Sequence, residues 1–351
     1  MNYSGNYQTE ARKQNSSSRR RGSLLLGTAA ALASMAIAVQ YRSRQAEKQN
    51  PPEGKFVYVD GVRLHYVERG QGQPVVLLHG NGTMAKDFDI SRVLDMAADK
   101  YRVIAFDRPG YGYSERPRNK VWGPVAQAEM LHRALQQLGV ESPVIVGHSW
   151  GAMVAIALAL EYPQATGSLV LLSGYYYPTP RMDVPLLSPP AIPVIGDLMR
   201  FTVSPLIGRM IWPAMMRKLF GPGKTPARFK EEYPVWMTLR PGQLRASAAE
   251  TALMIPSAYS LGKRYGELTM PVVILSGGGD RHVLSTLHSE RLHKELMQSE
   301  LTVVPEVGHM IQQLAPQEVM AAIDRAATGI APPAERPAQK PALLVKTVVP
   351  A

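Results

Sequence analysis

Short apolar runs alternate with longer helical patterns over most of the chain. The runs are typical of strands that are covered on both faces; they are Pro74–Leu78, Arg102–Phe106, Pro143–Val146, Ser168–Leu172, Val272–Leu275 and Leu301–Val304. Helical stretches lie between them, at about Ile90–Lys100, Val125–Leu138, Trp150–Glu161, Thr286–Met297 and Pro316–Ala327. Upstream, Asp60-Gly61 predicts the turn of a hairpin over Lys55–Asp60 and Arg63–Arg69. Strands that alternate with helices predict an α/β fold with a mostly parallel sheet.

This alternation stops between residues 174 and 268. The segment is rich in proline, methionine and large aromatic residues, and because proline breaks helices we expect several short helices there. We interpret residues 174–268 as a helical cap inserted between two parts of the core, residues 55–173 and 269–330. The alternative is an ordinary second layer of core.

The N-terminal region contains an uncharged stretch of 20 residues, Gly22–Tyr41, rich in leucine and alanine. As a helix it would be about 30 Å long, which matches a bilayer core and predicts a single-pass membrane anchor. A cleaved signal segment is the alternative, since Ala36-Ile37-Ala38 is a small-x-small site; a buried soluble helix is a third. More Lys and Arg precede the stretch than follow it, which favours a cytoplasmic N-terminus and an exported, periplasmic or extracytoplasmic catalytic part.

Polar segments flank these regions. Residues 1–21 are serine-rich and basic, so we expect them to be disordered. Residues 42–54, which end in Asn50-Pro51-Pro52 and Glu53-Gly54, are expected to form a linker. The Pro- and Ala-rich residues 331–351 are expected to form a loose, disordered tail.

Charge and cysteine content narrow the functional classes. The formal net charge is +11, but residues 51–330 carry 28 Lys or Arg against 25 Asp or Glu. A core so close to neutral is not expected to bind nucleic acid. The chain has no cysteine, which excludes disulfides, thiolate metal sites and a cysteine nucleophile.

The strongest chemical motif is Gly147-His148-Ser149-Trp150-Gly151, placed between an apolar strand and an apolar helix. A serine on such a sharp turn exposes its hydroxyl at the carboxyl edge of the sheet. Small residues are needed two positions to either side, because the strand and helix approach closely there. The motif therefore makes Ser149 the candidate nucleophile.

A serine nucleophile needs a base and an orienting acid. Asp280 and His309 each follow a predicted strand, so both are expected at the sheet edge that carries Ser149. The other histidines lie in helices, in the early hairpin or beside the candidate serine or acid. An acid near Gly174 is the alternative, but no acidic residue follows that strand until Asp183. The predicted triad is Ser149, Asp280 and His309.

Two glycine-containing loops follow neighbouring strands. His79-Gly80-Asn81-Gly82 can present the amide of Asn81, which with the amide of Trp150 would stabilise an oxyanion; a plain glycine turn is the alternative. The loop Asp107–Ser114 is interpreted as structural, with Asp107 fixing the turn through side-chain hydrogen bonds.

These motifs, in this order and spacing, resemble the cap-bearing branch of the α/β-hydrolase superfamily over roughly Lys55 to Ala327. The resemblance implies an eight-stranded sheet with helices on both faces, no cofactor or metal, and Ser149, Asp280 and His309 as the catalytic triad. Epoxide hydrolases and haloalkane dehalogenases share the style of the Asp107 loop but carry aspartate at the elbow, where this chain has Ser149. Proline iminopeptidases resemble the Ser-Trp-Gly, but usually have glycine in place of His148.

The resulting hypothesis is a membrane-anchored serine hydrolase that cleaves an ester-type acyl bond of a small apolar substrate through an acyl-enzyme. Carbon–carbon bond hydrolysis and thioester hydrolysis are alternatives on the same triad, and an inactive membrane-anchored binding scaffold is an alternative of another class. Between residues 174 and 265 there are twelve Lys or Arg against five Asp or Glu, so the cap is a second candidate membrane contact. The sequence does not specify the oligomeric state.

Overall fold

The computed structural model describes the backbone of residues 4–329 and the side chains from Ser23 onward; the expected tail 331–351 lies outside the described residues. The strands of this part of the chain are β1 Lys55–Val59, β2 Val62–Arg69, β3 Pro74–Leu78, β4 Arg102–Phe106, β5 Val144–His148, β6 Ser168–Leu172, β7 Val272–Gly277 and β8 Ser299–Val304. They form one eight-stranded sheet in the order β1-β2-β4-β3-β5-β6-β7-β8.

The sheet is mostly parallel. Strand β2 pairs antiparallel with β1 and with β4, and the remaining pairs are parallel. The predicted α/β architecture with an eight-stranded, mostly parallel sheet is therefore confirmed. The carboxyl ends of β3 to β8 consequently meet at one edge of the sheet, which is where ligands bind in such folds.

Fourteen α-helices lie within residues 4–329: α1 Ser4–Gln49, α2 Lys86–Ile90, α3 Val93–Ala98, α4 Pro124–Gln137, α5 Trp150–Glu161, α6 Asp183–Leu187, α7 Ile195–Phe201, α8 Val203–Phe220, α9 Ala227–Glu232, α10 Val235–Thr238, α11 Pro241–Gly262, α12 Ser289–Glu295, α13 Ile311–Leu314 and α14 Pro316–Thr328. The expected helix at 90–100 is shorter in the structure, where α3 covers residues 93–98; the positive φ of 66° at Arg92 separates it from α2. We call α6–α11, which lie between β6 and β7, the helical insertion.

Helices cover both faces of the sheet. Apolar residues of α4, α5 and α11 pack with one face, and those of α3 and α14 pack with the other. Helix α5 is apolar all round, and its residues 150–160 are buried. Burial of each large side chain contributes roughly 1.5–3 kcal/mol to folding, so α5 gives the sheet edge next to Ser149 a rigid support.

Helix α1 is longer at both ends than the uncharged stretch predicts. It begins at Ser4, inside the stretch expected to be disordered, and ends at Gln49, inside the expected linker. No proline interrupts the chain before Pro51, so helical hydrogen bonding can continue. The linker prediction over residues 42–54 was therefore too long, and residues 50–54 alone separate α1 from β1.

The part of α1 from Ser23 to Gln49 is long and apolar enough to cross a membrane, and little of it is buried. Length and composition are compatible with an anchor or with a signal sequence. Its C-terminal end contacts α7, α8 and α10 of the helical insertion, and Val39, Ser43 and Ala46 are buried there. The end of α1 is thus packed into the fold.

Candidate active site

Ser149 lies on the turn between β5 and α5. Its backbone is held at φ 53° and ψ −115°, and its amide donates to the carbonyl of Leu172 on β6 at 2.9 Å. A Cβ at Gly147 would lie 2.5 Å from the carbonyl oxygen of Gly151, and one at Gly151 would lie 2.2 Å from that of Leu78. Both glycines are therefore required by close backbone approach, as the motif predicts, and they let the strained turn form.

Three predicted residues from separate loops meet at this edge of the sheet. The Nε2 atom of His309 lies 3.0 Å from Oγ of Ser149, and its Nδ1 lies 2.7 Å from Oδ2 of Asp280. The carboxylate can only accept, so Nδ1 carries the proton and Nε2 is free to accept from the serine hydroxyl. The arrangement has the geometry of a nucleophile, a base and an orienting acid.

The electrostatics keep Asp280 ionised. Burial raises the pKa of its carboxyl, but the neighbouring His309 and the amides of His282 and Val283 outweigh burial and hold the pKa below its ordinary value. Those two amides donate to Oδ1 at 2.7 and 2.9 Å. One carboxylate oxygen is thus occupied by the backbone while the other orients the imidazole.

Two further histidines lie beside the base without competing with it. Burial and the nearby His309 lower the pKa of His148 to about 3, so its ring is neutral and donates through Nε2 to the carbonyl of His309 at 3.0 Å. Burial also lowers the pKa of His282 well below its ordinary value; its ring centre is 4.9 Å from that of His309. His148 therefore supports the loop that carries the base.

The turn bearing Asn81 packs directly on the elbow. A Cβ at Gly80 would lie 3.2 Å from Cβ of Ser149, which places the Asn81 turn next to the serine. Trp150 is the first residue of α5, and an amide at that position has no partner within the helix. Both predicted oxyanion donors thus belong to segments that border Ser149.

The side chain of Asn81 ties this turn to the helical insertion. Its Nδ2 donates to the carbonyl of Ser247 at 3.2 Å and to Oγ1 of Thr251 at 3.0 Å, both on α11. Its Oδ1 accepts from the hydroxyl of Tyr111 at 2.9 Å. The sequence indicated only a backbone role for Asn81, so this side-chain anchor is an addition from the structure.

A buried ion pair that the sequence did not predict stabilises the turn that carries Asn81. Arg108 and Glu250 are fully buried and lie 2.5 Å apart. Arg108 also donates to the carbonyls of His79 at 2.8 Å and Gly80 at 3.0 Å. The one available signal was a lone glutamate in the Ala-rich stretch of α11, and nothing in the sequence paired it with a residue 142 positions earlier.

The Asp107–Ser114 loop has the structural role expected of it. The side chain of Asp107 accepts from the amides of Ala85 at 2.8 Å and Tyr113 at 3.0 Å. It also accepts from Nδ1 of His65 at 2.7 Å.

Asp183, the first acidic residue after β6, pairs with Arg181 at 2.5 Å. Among the described side chains, no group of three or more ligating residues could hold a metal ion.

The site and the sheet together define a hydrolase of the α/β-hydrolase fold. A family model described as the alpha/beta hydrolase fold matches residues 73–316, and the chain belongs to this family. The site residues from Asn81 to His309 all fall within the matched segment.

Curated relatives and solved structures agree on the fold and differ in activity. The chain is 26% identical to haloalkane dehalogenase 2 of Mycobacterium tuberculosis over 78% of this chain and 94% of the relative. It is 33% identical to 2-hydroxymuconate semialdehyde hydrolase of Pseudomonas putida over 37% of this chain and 46% of the relative. A structure described as a membrane phospholipase A and bacterial virulence factor matches with a TM-score of 0.61 and 22% identity, over 87% of this chain and 97% of the other.

Proposed function

We propose that the chain is a membrane-anchored serine hydrolase that cleaves an ester-type acyl bond of a small apolar substrate. The observation that carries the proposal is the continuous contact from Asp280 through His309 to the hydroxyl of Ser149, with distances of 2.7 and 3.0 Å. In the dehalogenases and epoxide hydrolases that the chain resembles, the elbow carries aspartate, so a serine there favours acyl transfer.

The proposed reaction proceeds through an acyl-enzyme. His309 takes the proton of Ser149 as its oxygen attacks the acyl carbon, and the amides of Asn81 and Trp150 stabilise the oxyanion. His309 then donates the proton to the leaving group. A water molecule, activated by the same imidazole, releases the acid and restores the serine.

The surroundings of the base favour an apolar substrate. The helical insertion contributes a cluster rich in methionine and aromatic residues, which packs with Met310, directly after His309, and with Met84, close to the Asn81 turn. Methionine adapts to irregular ligands, and an apolar lining is typical of small-molecule sites. We infer that the insertion is a cap over the substrate pocket.

The test of the reaction is labelling by a fluorophosphonate probe, which reacts with an activated serine. The wild-type chain should label and Ser149→Ala should not. Ser276→Ala is the matched control, because Ser276 is a buried serine of β7 outside the proposed triad, and it should label as the wild type does. An unlabelled wild type would favour the inactive binding scaffold, and equal labelling of Ser149→Ala would end the proposal.

Carbon–carbon bond hydrolysis is the second candidate. The 33% identity to 2-hydroxymuconate semialdehyde hydrolase over 129 residues favours it, and thioester hydrolysis uses the same groups. A panel of aryl esters, thioesters and vinylogous diketones at matched concentration distinguishes the three. The ester proposal requires the highest kcat/KM on the esters.

We also propose that α1 is retained as a single-pass anchor with the catalytic part exported. In α7 and α8, which contact α1, the helical insertion exposes large apolar side chains, among them Ile195, Leu198 and Met210. Such a patch on a soluble surface marks a membrane or partner contact. Reporter fusions before residue 20 and after residue 351 test the orientation, and a cytoplasmic signal from the second would contradict it.

A further inference from the structure

A cavity of about 360 Å³ lies where the end of α1 meets the helical insertion, away from Ser149. Five arginines line it: Arg116, Arg118, Arg200, Arg240 and Arg245. Helix α1 contributes Gln40, Ser43 and Glu47 to the wall. We call this space the arginine cavity.

Carboxylates balance the five guanidinium groups only in part. Arg118 and Arg200 share Asp197, and Arg240 pairs with Glu47 at 2.8 Å. Arg245 donates to the carbonyls of residues 116 and 117 at 3.1 and 3.4 Å, and no carboxylate within residues 23–329 forms an ion pair with it. The cavity wall therefore keeps an excess of positive charge.

The charge of the remaining arginine, Arg116, is also only partly balanced by a carboxylate. Its nearest carboxylate is Glu250 at 3.6 Å, and that carboxylate already binds Arg108 at 2.5 Å. Burial, together with the neighbouring guanidinium groups, lowers the pKa of Arg116 and of Arg245 below the ordinary arginine value. An anion in the cavity would relieve this repulsion.

Two buried polar atoms in the wall also lack a partner. The Oγ atom of Ser43 and the Nε atom of Arg200 make no hydrogen bond within the described part of the chain. Ser43 is 5% exposed and Arg200 is 2% exposed. Buried polar groups are nearly always hydrogen-bonded, so these two atoms show that the wall of the cavity is short of acceptors of its own.

The position of the cavity along α1 points to the source of that acceptor. The uncharged stretch of α1 ends at Tyr41, and the cavity contacts residues 40–47. If the stretch spans the hydrocarbon core, residues just beyond it lie at the level of lipid headgroups. Phe201, which is partly exposed, lines the same cavity and offers an apolar surface beside the charges.

We propose that the arginine cavity binds the phosphate group of an anionic phospholipid. Guanidinium groups bind phosphate oxygens in a bidentate manner. The lipid as source rests on the proposed membrane anchoring of α1, whereas the phosphate chemistry does not.

The test uses the full chain in a neutral detergent and soluble short-chain probes. Isothermal titration calorimetry measures the binding of dihexanoyl phosphatidic acid, of inorganic phosphate and of dihexanoyl phosphatidylcholine. We expect phosphatidic acid to bind at least tenfold more tightly than phosphatidylcholine. The Arg118→Gln and Arg245→Gln double variant should lose at least tenfold in affinity, and Arg228→Gln, which removes an insertion arginine paired with Glu232 outside the cavity, should bind as the wild type does.

The outcomes separate the alternatives. Equal affinity for inorganic phosphate and phosphatidic acid, lost in the double variant, supports the phosphate site and overturns the lipid source. Equal affinity of the wild type and the double variant, or no binding of either phosphate probe, overturns the site. The single variant Arg118→Gln should fold, because that side chain is 65% exposed, and a loss of affinity in it cannot be attributed to misfolding. Fluorophosphonate labelling of the same samples shows separately whether the proposed hydrolase activity fails.

Discussion

Two buried Asp–His pairs of the same length lie in the part of the chain whose side chains the structure describes. His309 Nδ1 lies 2.7 Å from Asp280, and His65 Nδ1 lies 2.7 Å from Asp107. In both pairs the carboxylate also accepts from backbone amides. A carboxylate that orients an imidazole is therefore not sufficient evidence that the histidine is catalytic.

The difference lies at the other ring nitrogen. Nε2 of His309 faces the hydroxyl of Ser149 at 3.0 Å, whereas Nε2 of His65 accepts from the amide of Gly54 at 3.3 Å. A hydroxyl can pass its proton to the imidazole as it attacks, but a peptide amide does not release its proton at neutral pH. The partner of the second ring nitrogen therefore distinguishes the proposed base, His309, from the structural histidine, His65.

The largest expected effect is that of Asp280→Asn. An amide can no longer hold the imidazole in the required tautomer or stabilise the imidazolium, so kcat on an aryl ester should fall about 10⁴-fold. Initial rates on p-nitrophenyl butyrate measure it, with the fold checked by circular dichroism. A folded variant with more than a tenth of wild-type kcat would remove the distinction between the two pairs.

Glu250→Gln tests whether the buried ion pair with Arg108 positions the Asn81 turn, which carries a proposed oxyanion donor. Breaking a buried ion pair costs about 3–5 kcal/mol of unfolding free energy, because Arg108 is left without its charge partner. Where the variant folds, kcat should fall with little change in KM, since Arg108 positions the Asn81 turn. Urea unfolding and steady-state kinetics measure both.

The control for that variant is Glu232→Gln, which removes a partly exposed ion pair with Arg228 in the helical insertion. Exposed pairs contribute at most about 1 kcal/mol, so this variant should resemble the wild type. Equal stability of the Glu250 and Glu232 variants would contradict the role given to Arg108.

Asp107→Asn should affect stability and leave the chemistry alone. Hydrogen bonds to a buried charge contribute about 1.5–3 kcal/mol each, so we expect a loss of roughly 2 kcal/mol or more in urea unfolding. The kcat of the folded variant should stay within about threefold of the wild type. A selective loss of kcat at unchanged stability would give the second pair a catalytic role.

A pH dependence of stability is expected from neutral histidines beside each pair. Burial lowers the pKa of His148 and of His79 from 6.5 to about 3. The unfolded chain therefore binds more protons between pH 6.5 and 3, and stability falls as the pH falls through this window. Each group contributes about 1.4 kcal/mol per pH unit. Urea unfolding at pH 7.5, 6.5, 6 and 5 measures the slope.

Asp87 opposes this trend. Burial raises the pKa of its carboxyl from 3.8 to about 6, so the folded state binds the extra proton between these values and gains stability as the pH falls. Asp87→Asn should therefore steepen the loss of stability below pH 6. An unchanged slope would show that Asp87 does not titrate in this range.

Much of this architecture was accessible from sequence because its signals are local. The predicted strands Arg102–Phe106 and Ser168–Leu172 coincide with β4 and β6, since apolar runs between turn residues mark buried parallel strands. Ser149 was accessible because its glycines, strand and helix are adjacent in the chain. Asp280 and His309 followed from strand ends that share one edge.

The rest depends on contacts between distant segments. The pairing of Arg108 with Glu250 and the meeting of five arginines at the end of α1 depend on how the helical insertion packs, and helix spacing does not encode this packing. The length of α1 was underestimated because a change in charge after Tyr41 was interpreted as the end of a helix. Charged residues continue a helix readily when its other face packs against the fold, as Ser43 and Ala46 do here.

The helical insertion is fastened to both halves of the proposed machinery. The amide of His309 donates to the carbonyl of Leu219 at the end of α8, at 2.8 Å, and α11 holds the side chain of Asn81. The helical insertion therefore cannot move away from the site without also moving the imidazole of His309 and the turn that carries Asn81. Substrate entry and proton transfer would then share one hinge, and substitutions at the roots of the insertion should alter kcat and KM together.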